Sequence, residues 1–407
     1  MDIRGKRPLV TVVMPSLNEE AYIGKALRSL LDDWAIRNCE MLVVDGGSTD
    51  RTKQVVEGLI RNPPETSAGG DLRAGLGPTT APQSRPEDEV VWFFSKKDSW
   101  VRDVQGEWNP VTAGMRKAVI RLLDNPGRIV SLGMNLGIAQ AAGRLIARAD
   151  AHCIYPPGYV RRCVELLADT GAASAGGVIV QRGEGGRTQE AIALARSHFL
   201  GTGGGAFRKT EFKGEAEGAV FGTFRKELFD EIGGYDIKAI ANQDSELNVR
   251  IICAGKKIFV DSDIKVTYFP RKTLKELASQ YFRYGRGWAR TAIRHKMLTG
   301  WRQAAAPMLL LVIVYAVVRA VAGQPAHLIV PTTYALGLVV AALLTLDRGV
   351  GEKERTLKGK RTPERAGTGE SEQPPIAPKT RMIVAAAWSV MHLCWGAGFL
   401  YGLIKWW

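Results

Sequence analysis

Three apolar stretches, 304–322, 326–346 and 382–404, limit what this chain can fold into more than any other feature of its sequence. Each is close to the roughly 20 residues that a helix needs to cross a bilayer. A backbone in lipid must satisfy its own N–H and C=O groups, so helices are expected there. Arg319 lies near the end of the first stretch and can snorkel to the interface. The stretch 347–381 carries nine Lys and Arg residues, and the positive-inside rule places it in the cytoplasm. Two crossings then return the chain to the side of its N-terminal part, and the third leaves Trp406 and Trp407 near the outer surface. "MDIRGKRPLV" lacks the long apolar core of a secretory signal. The expectation is a multi-pass protein of the cell inner (cytoplasmic) membrane, with residues 1–270 on the cytoplasmic side.

Lys and Arg number 55 against 41 Asp and Glu, a formal charge of +14. Such a surplus suits anionic lipid, phosphorylated substrates or nucleic acid. No helix-turn-helix, zinc-finger or RNP pattern supports nucleic acid, so lipid and phosphate are the expected partners. Five scattered cysteines without a CxxC pair argue against a disulfide frame or structural zinc.

The N-terminal part alternates strands and helices. "PLVTVVMPSLNEE" reads as a buried strand over Leu9 to Met14 that Pro15 stops, then a helix from about Glu19 to Leu31. "EMLVVDGGSTD" reads as a second buried strand ending at Asp45, and Ser48 or Thr49 can cap a helix reaching about Ile60. This is the rhythm of a parallel α/β sheet. The segment 64–115 is an insertion; its first part, to Glu89, is rich in Pro, Gly, Ser and Thr and is expected to be flexible, while "VVWFFS" can be a strand within it. A helix over about Asn135 to Ala142 and a strand ending at Asp150 follow. Farther on, Thr273 and Glu276 form a capping box for a helix. Leu274, Leu277, Tyr281, Trp288 and Ala292 share one of its faces; Gln280, Arg283, Arg290 and Arg294 share the opposite one. Segment 271–303 therefore fits an amphipathic helix in the membrane interface, or one facing a protein core.

Four polar groups recur at strand ends or loop edges, where an open α/β sheet binds its ligand. Ser16, Asn18 and Glu19 follow the first strand. Asp45 ends the second. Asp150 and His152 end a later strand, and Asp244 and Glu246 open a helix. Asp45 before Gly-Gly also suits a plain turn, and acids in a first helical turn also suit the helix dipole.

The segments "VVMPSLNEE", "VVDGGSTD", "RADAHCIYPPGYV", "NQDSELN" and "QYFRYGRGW" occur in this order. Together they resemble the family 2 glycosyltransferases of the GT-A fold, most closely the succinoglycan-biosynthesis glucosyltransferases. The resemblance covers roughly 8–64 and 116–295; the insertion departs from it. It implies an α/β, Rossmann-like nucleotide-diphospho-sugar transferase domain, followed by the interfacial helix and the membrane helices. It implies that Pro15, Ser16, Asn18, Glu19 and Asp45 line the nucleotide pocket, with Asp45 on the uracil edge or ribose. Asp150 then stands at the family's metal carboxylate, for Mg²⁺ or Mn²⁺ on the donor diphosphate. His152 replaces the second acid there, and could ligate metal, contact phosphate or be a simple loop residue. Asp244 matches the catalytic base of direct inversion, and Glu246 would orient the acceptor or hold the base. Gln280, Arg283 and Trp288 resemble the element that meets diphosphate and acceptor, although Tyr284 stands where it has Trp.

The implied activity is inverting transfer of a hexose, glucose from a UDP donor by default, onto a lipid-linked saccharide in exopolysaccharide or envelope glycan synthesis. The resemblance leaves room for polysaccharide-assembly partners. Transfer to polyprenyl phosphate, in the manner of dolichol-phosphate-mannose synthases, is the alternative reaction. A catalytically silent membrane scaffold is the alternative of another class, and the intact Asp45, Asp150 and Asp244 oppose it.

Overall fold

The computed structural model describes residues 9–31, 39–61, 89–94, 100–102, 108–110, 116–202, 212–239, 241–296, 302–358 and 376–406. The chain divides into two compact units: residues 1–180 with 204–268, and residues 181–203 with 269–407.

Along the chain the elements are β1 (Val10–Ser16), α1 (Ile23–Leu31), β2 (Cys39–Asp45), α2 (Thr52–Arg61), β3 (Glu89–Phe94), β4 (Trp100–Arg102), β5 (Trp108–Pro110), β6 (Arg116–Asp124) and α3 (Val130–Gln140). Then come β7 (Leu145–Arg148), β8 (Cys153–Ile154), α4 (Tyr159–Thr170), β9 (Ser174–Gln181), α5 (Arg187–Ser197), α6 (Phe199–Thr202), β10 (Lys213–Glu215), β11 (Val220–Arg225), α7 (Leu228–Ile232), α8 (Gln243–Cys253) and β12 (Ile258–Tyr268). The chain ends in α9 (Leu274–His295), α10 (Arg302–Val321), α11 (Ile329–Lys358) and α12 (Pro378–Trp406).

The first unit is built on a ten-stranded sheet in the order β10-β12-β9-β11-β7-β1-β2-β6-β3, with β8 on β12. β7, β1, β2 and β6 run parallel, and β11 and β3 join antiparallel. Both faces of the parallel strands are covered, so their sequences read as continuous apolar runs. Val10, Val12 and Met14 of β1 face a core with Leu27 of α1, Val56 of α2 and Val164 of α4. Val13, between them, faces the opposite core with Met134 of α3, Leu228 of α7 and Leu247 of α8. The chain passes from β1 outward through β2 to β6, then returns to the other side of β1 as β7. That reversal is a topological switch point, and it opens a crevice at the carboxyl ends of the strands.

Several expected boundaries move. Pro15 does not stop β1, which runs to Ser16. The carbonyls of Leu9 and Val13 accept from Leu145 and Ala149 on the β7 side. Pro15 faces the same side, beyond the last β7 pairing at Val13, so its missing N–H breaks no ladder bond. α2 starts at Thr52, whose N–H is held by the Asp50 carboxylate, not at Ser48 or Thr49. α3 starts earlier than expected, directly after a turn in which Asn125 Nδ2 donates to the Ile129 carbonyl. The last strand before Asp150 ends at Arg148. "VVWFF" does form a strand, β3, on the edge of the main sheet beside β6. The Pro- and Gly-rich part of the expected insertion, 62–88, lies outside the described residues.

In the second unit, α12 is the helix around which the others pack. Val384, Trp388 and Met391 of α12 share a core with Ala191 and Ala195 of α5, Leu277 of α9 and Leu338 of α11. Trp388 Nε1 donates to the Ala195 carbonyl at 3.0 Å. Among the described residues, three helices are long and apolar enough to cross a membrane: Gln303–Val321, Pro325–Leu344 and Pro378–Trp406. They match the expected segments. In the third, 44% of the most apolar window is buried, against 11% in each of the others, so α10 and α11 carry the exposed apolar surface. Arg319 meets the Gln324 side chain at 2.6 Å beyond the end of α10. The basic stretch from 347 is not wholly a loop, because α11 continues to Lys358.

The Thr273–Glu276 capping box of α9 is present. Its inner face differs from the expected one. Leu277, Gln280, Tyr281, Gly285 and Ala289 are buried, whereas Trp288 is half-exposed. The reason is close helix packing. A Cβ at Gly285 would meet the Trp395 carbonyl, and one at Gly398 would meet the Phe282 carbonyl. Small residues set this seam of α9 on α12.

Close approach also fixes the sheet of the first unit. A side chain at Gly177 would run into the backbone carbonyl and side chain of Ile264. Gly177→Val is expected to destabilise the fold by about 2 kcal/mol or more, read as a lower midpoint of thermal unfolding for the detergent-purified chain.

Candidate active site

The loops that follow β1 and β2 are tied to each other. The Asn18 backbone, at φ 56°, donates from its N–H to Ser48 Oγ at 2.9 Å. Its side-chain oxygen accepts from the Thr49 N–H at 2.8 Å. The Glu19 N–H donates to Thr52 Oγ1 at 2.8 Å. Asn18 therefore acts as a clamp between the two loops. Ser16 accepts on its carbonyl from Gly46 at 2.8 Å, while its buried hydroxyl has no hydrogen-bond partner.

Asp45 is fully buried at the end of β2. Its Oδ2 accepts from the N–H groups of Gly47 and Ser48, each at 2.9 Å, and its Oδ1 accepts from Ser48 Oγ at 2.5 Å. It thus builds the turn of "DGGS", the plain reading of an Asp before Gly-Gly. Lys53 Nζ lies 3.7 Å from Asp45 Oδ2 and 2.6 Å from Asp124 at the end of β6. These two carboxylates, with Asp124 facing Asp45 across paired strand ends, hold the Lys53 ammonium above its ordinary pKa; the Asp124 hydrogen bond is the largest cause.

Beyond β7 the charges are arranged around one guanidinium. Arg148 is buried, with only 5% of its side chain exposed. Its Nε and Nη2 donate to Asp150 Oδ1 at 3.2 and 3.1 Å. Its Nη1 contacts Asp244 Oδ1 at the first turn of α8. Burial alone would lower the Arg148 pKa, but Asp150 and the other groups around it raise it on balance, so the residue stays charged. The Asp150 backbone N–H donates to the Tyr155 hydroxyl at 2.6 Å, which fixes the chain where it leaves the strand. Among the described residues no donor reaches Asp150 Oδ2. Asp244 is the most exposed of the three, at 40% of its side chain.

His152 pairs with a different acid. Its Nδ1 lies 3.0 Å from Glu19 Oε1, and its ring stands edge-on to Tyr268, with centroids 4.9 Å apart. A carboxylate accepts only, so the contact fixes Nδ1 as the protonated nitrogen and puts the lone pair of a neutral ring on Nε2. Glu19, expected at the nucleotide, orients this histidine. Among the described residues, no group of three His, Cys, Asp or Glu side chains converges as a metal site.

Glu246 lies in the first turn of α8. It is fully buried, and Arg250 meets its carboxylate at 2.8 Å. The same Arg250 donates to the carbonyls of Ile232, Gly233 and Gly234. The acid at i and the arginine at i+4 of α8 thus pin the preceding turn, a structural role. Tyr235 follows that turn. Its backbone is held on both sides by Asn135, at 2.7 and 2.8 Å. Among the described residues its buried hydroxyl has no hydrogen-bond partner, and burial pushes its pKa up to about 12. Arg148 and Asp150 both act on that phenol electrostatically.

Gln280, Arg283 and Trp288 belong to the second unit. Gln280 is buried; its Oε1 accepts from Arg196 Nη1 at 3.2 Å and its Nε2 donates to the Tyr284 hydroxyl at 3.0 Å. Tyr284, standing where tryptophan was expected, therefore serves Gln280 as a polar partner. Arg283 is exposed.

The sequence profile of the family described as Glycosyl transferase family 2 matches residues 11–67 and 112–233. Those ranges hold β1, the "DGGS" turn, Arg148 and Asp150. The chain carries a family 2 glycosyltransferase domain. The sheet and its crevice are those of the expected GT-A fold. This glycosyltransferase is 29% identical over 391 residues to the succinoglycan biosynthesis protein ExoA of Rhizobium meliloti (strain 1021), covering 95% of this chain and 93% of that one. It is 22% identical over 283 residues to a dolichyl N-acetyl-alpha-D-glucosaminyl phosphate 3-beta-D-2,3-diacetamido-2,3-dideoxy-beta-D-glucuronosyltransferase of Methanococcus voltae, covering 68% and 71%. Among solved structures, the mannosyltransferase PcManGT from Pyrobaculum calidifontis in complex with GDP-Man and Mn²⁺ aligns with a TM-score of 0.49 at 15% identity, covering 99% and 89%.

Sequence reasoning missed Arg148 and Tyr235. Arg148 could have been found: a cation two residues before Asp150 on an otherwise apolar strand must turn inward to a carboxylate. Tyr235 carried no such signal.

Two outcomes follow from these environments. Tyr235→Phe removes a buried, unpaired hydroxyl and is expected to stabilise the ligand-free protein by about 1 kcal/mol, seen as a raised unfolding midpoint. Glu246→Ala leaves Arg250 without its carboxylate and is expected to cost about 3–5 kcal/mol. An unchanged midpoint with a raised acceptor KM would instead return Glu246 to the acceptor site.

Proposed function

We propose that this glycosyltransferase moves a hexose, with inversion, from a nucleotide sugar to a lipid-linked saccharide at the cytoplasmic face of the inner membrane. The observation that carries this reading is the Arg148 guanidinium shared by Asp150 and Asp244 at the carboxyl ends of the parallel strands. A partly exposed carboxylate at one end of that bridge suits a base; the more buried one at the other end suits the diphosphate side.

On this reading Asp244 accepts the proton of the acceptor hydroxyl as its oxygen attacks the anomeric carbon. The bond from that carbon to the diphosphate oxygen breaks, and the electrons leave with the nucleoside diphosphate. Attack opposite the leaving group turns an α-linked donor into a β-linked product. The residues fit a divalent cation of the Mg²⁺ or Mn²⁺ type. Asp150 Oδ2 is an open oxygen ligand, and His152 has the tautomer of a ligating imidazole backed by a carboxylate. Such a cation would neutralise the departing diphosphate. Ser16 and Asn18 line the nucleotide side, and Asp45 beneath them holds the turn that borders it.

The lipid-linked acceptor draws support from the three membrane-length helices and from the Methanococcus voltae relative, whose name places its sugar on a dolichyl-linked acceptor. Envelope polysaccharide synthesis draws support from the Rhizobium relative. The basic stretch from 347 supports a cytoplasmic catalytic unit.

Nucleotide release by the detergent-purified full chain, screened over UDP-, GDP- and dTDP-sugars with polyprenyl-linked saccharide extract, tests the reading. One donor should turn over with Mn²⁺ or Mg²⁺ and not with EDTA. Asp244→Asn should lower the rate about 10²–10⁴-fold. Transfer to bare polyprenyl phosphate would replace the acceptor, and folded protein that releases no nucleotide would favour the scaffold.

A further inference from the structure

We propose that Arg148 is a positioning residue for this reaction: its guanidinium fixes the Asp244 carboxylate relative to Asp150. The inference rests on the reading of Asp244 as the base. Nothing in that reading requires an arginine between the two acids, and the role follows from how the three side chains are held.

The guanidinium lies between the two acids, hydrogen-bonded to Asp150 and in ion-pair contact with Asp244. The Nε and Nη2 donors close on one oxygen of Asp150, and Nη1 reaches one oxygen of Asp244. The planar fork allows little freedom between those two directions, which an ammonium on a flexible stem could not match. The two acids come from separate elements: Asp150 follows β7, and Asp244 opens α8. Asp244 stands in the first turn of α8, directly after Asn242, whose backbone has φ 59°. Arg148 is itself anchored. It is the last residue of β7 and pairs with Val13 in the middle of the sheet. Its position is therefore set by the parallel core, and it carries that position to both acids.

An arginine without a catalytic duty could be replaced by an apolar side chain along with its acids, often at no loss of stability. Here one acid is left partly open to solvent, at 40% exposure, which a purely structural pair does not need.

A double-mutant cycle tests this with the full chain in detergent and the donor identified by nucleotide release. Arg148→Met should lower kcat about 100-fold while donor KM, and nucleotide affinity by calorimetry, stay within about threefold. In an Asp244→Asn background the same substitution should cost less than about tenfold, because the base it positions is already gone. Arg148→Lys keeps the charge without the fork and should fall between. It also carries the cycle if Arg148→Met does not fold. Equal losses in both backgrounds would overturn the proposal and leave Arg148 a structural residue. If Asp244→Asn alone transfers at the parent rate, the base assignment fails first, and this proposal with it, whatever the Arg148 variants do.

Discussion

A guanidinium buried at the end of a parallel strand governs the arrangement of the site. Removing such a charge from water costs several kcal/mol before any partner is found. Arg148 recovers this only by drawing in carboxylates, and the two it draws in come from the loop after β7 and the start of α8. The charge thus dictates where two otherwise independent segments lie. The sheet supplies the fixed end, since β7 lies against β1 at the switch point.

The loops after β1 and β2 are ordered differently, by local hydrogen bonds. Asn18 holds the "DGGS" loop through its amide, and Asp45 folds that loop on itself. Two loops that would otherwise be independent become one surface. The positive φ of Asn18 is tolerated because its side chain is bonded on the spot. In the second unit the organising constraint is different again. Glycines bring α9 and α12 to backbone contact, and polar side chains close the remaining gaps. His392 does so within α12: its Nε2 donates to the Leu200 carbonyl at 2.6 Å, and its Nδ1 accepts from the Tyr334 hydroxyl at 2.9 Å.

Much of this could be read from the sequence, for identifiable reasons. Strands buried on both faces leave unbroken apolar runs, so β1 and β2 were legible. Membrane-length helices leave longer runs, so α10, α11 and α12 were legible too. Acids at strand ends were legible as a set because the fold places its ligand there. What failed were properties fixed by a distant partner. Glu246 looks like any acid in a first turn until Arg250 is seen to pin three carbonyls beside it. The inner face of α9 depends on which helix covers it: the hydropathy wheel puts Gln280 outside, but α5 offers it Arg196. Pro15 looks like a stop because its missing N–H matters only where a neighbouring strand still runs, and β7 has ended.

The pairing of Glu19 with His152 bears on how an imidazole would serve beside Asp150 on the proposed reading. Two acids and a cation leave the site with one balance of charge. Here Arg148 already contributes a fixed positive charge beside Asp150, and a neutral ring in place of a carboxylate removes a negative one. The Glu19 carboxylate behind the ring restores part of that negative charge, but through a hydrogen bond and at one remove from Asp150. It also makes the ring nitrogen facing away from it more basic. The substitution of histidine for acid is therefore coupled to two other residues, one in the loop after β1 and one in β7. On the proposed reading the three act together on the diphosphate, and none of them would have the same effect if moved alone into a site of two acids.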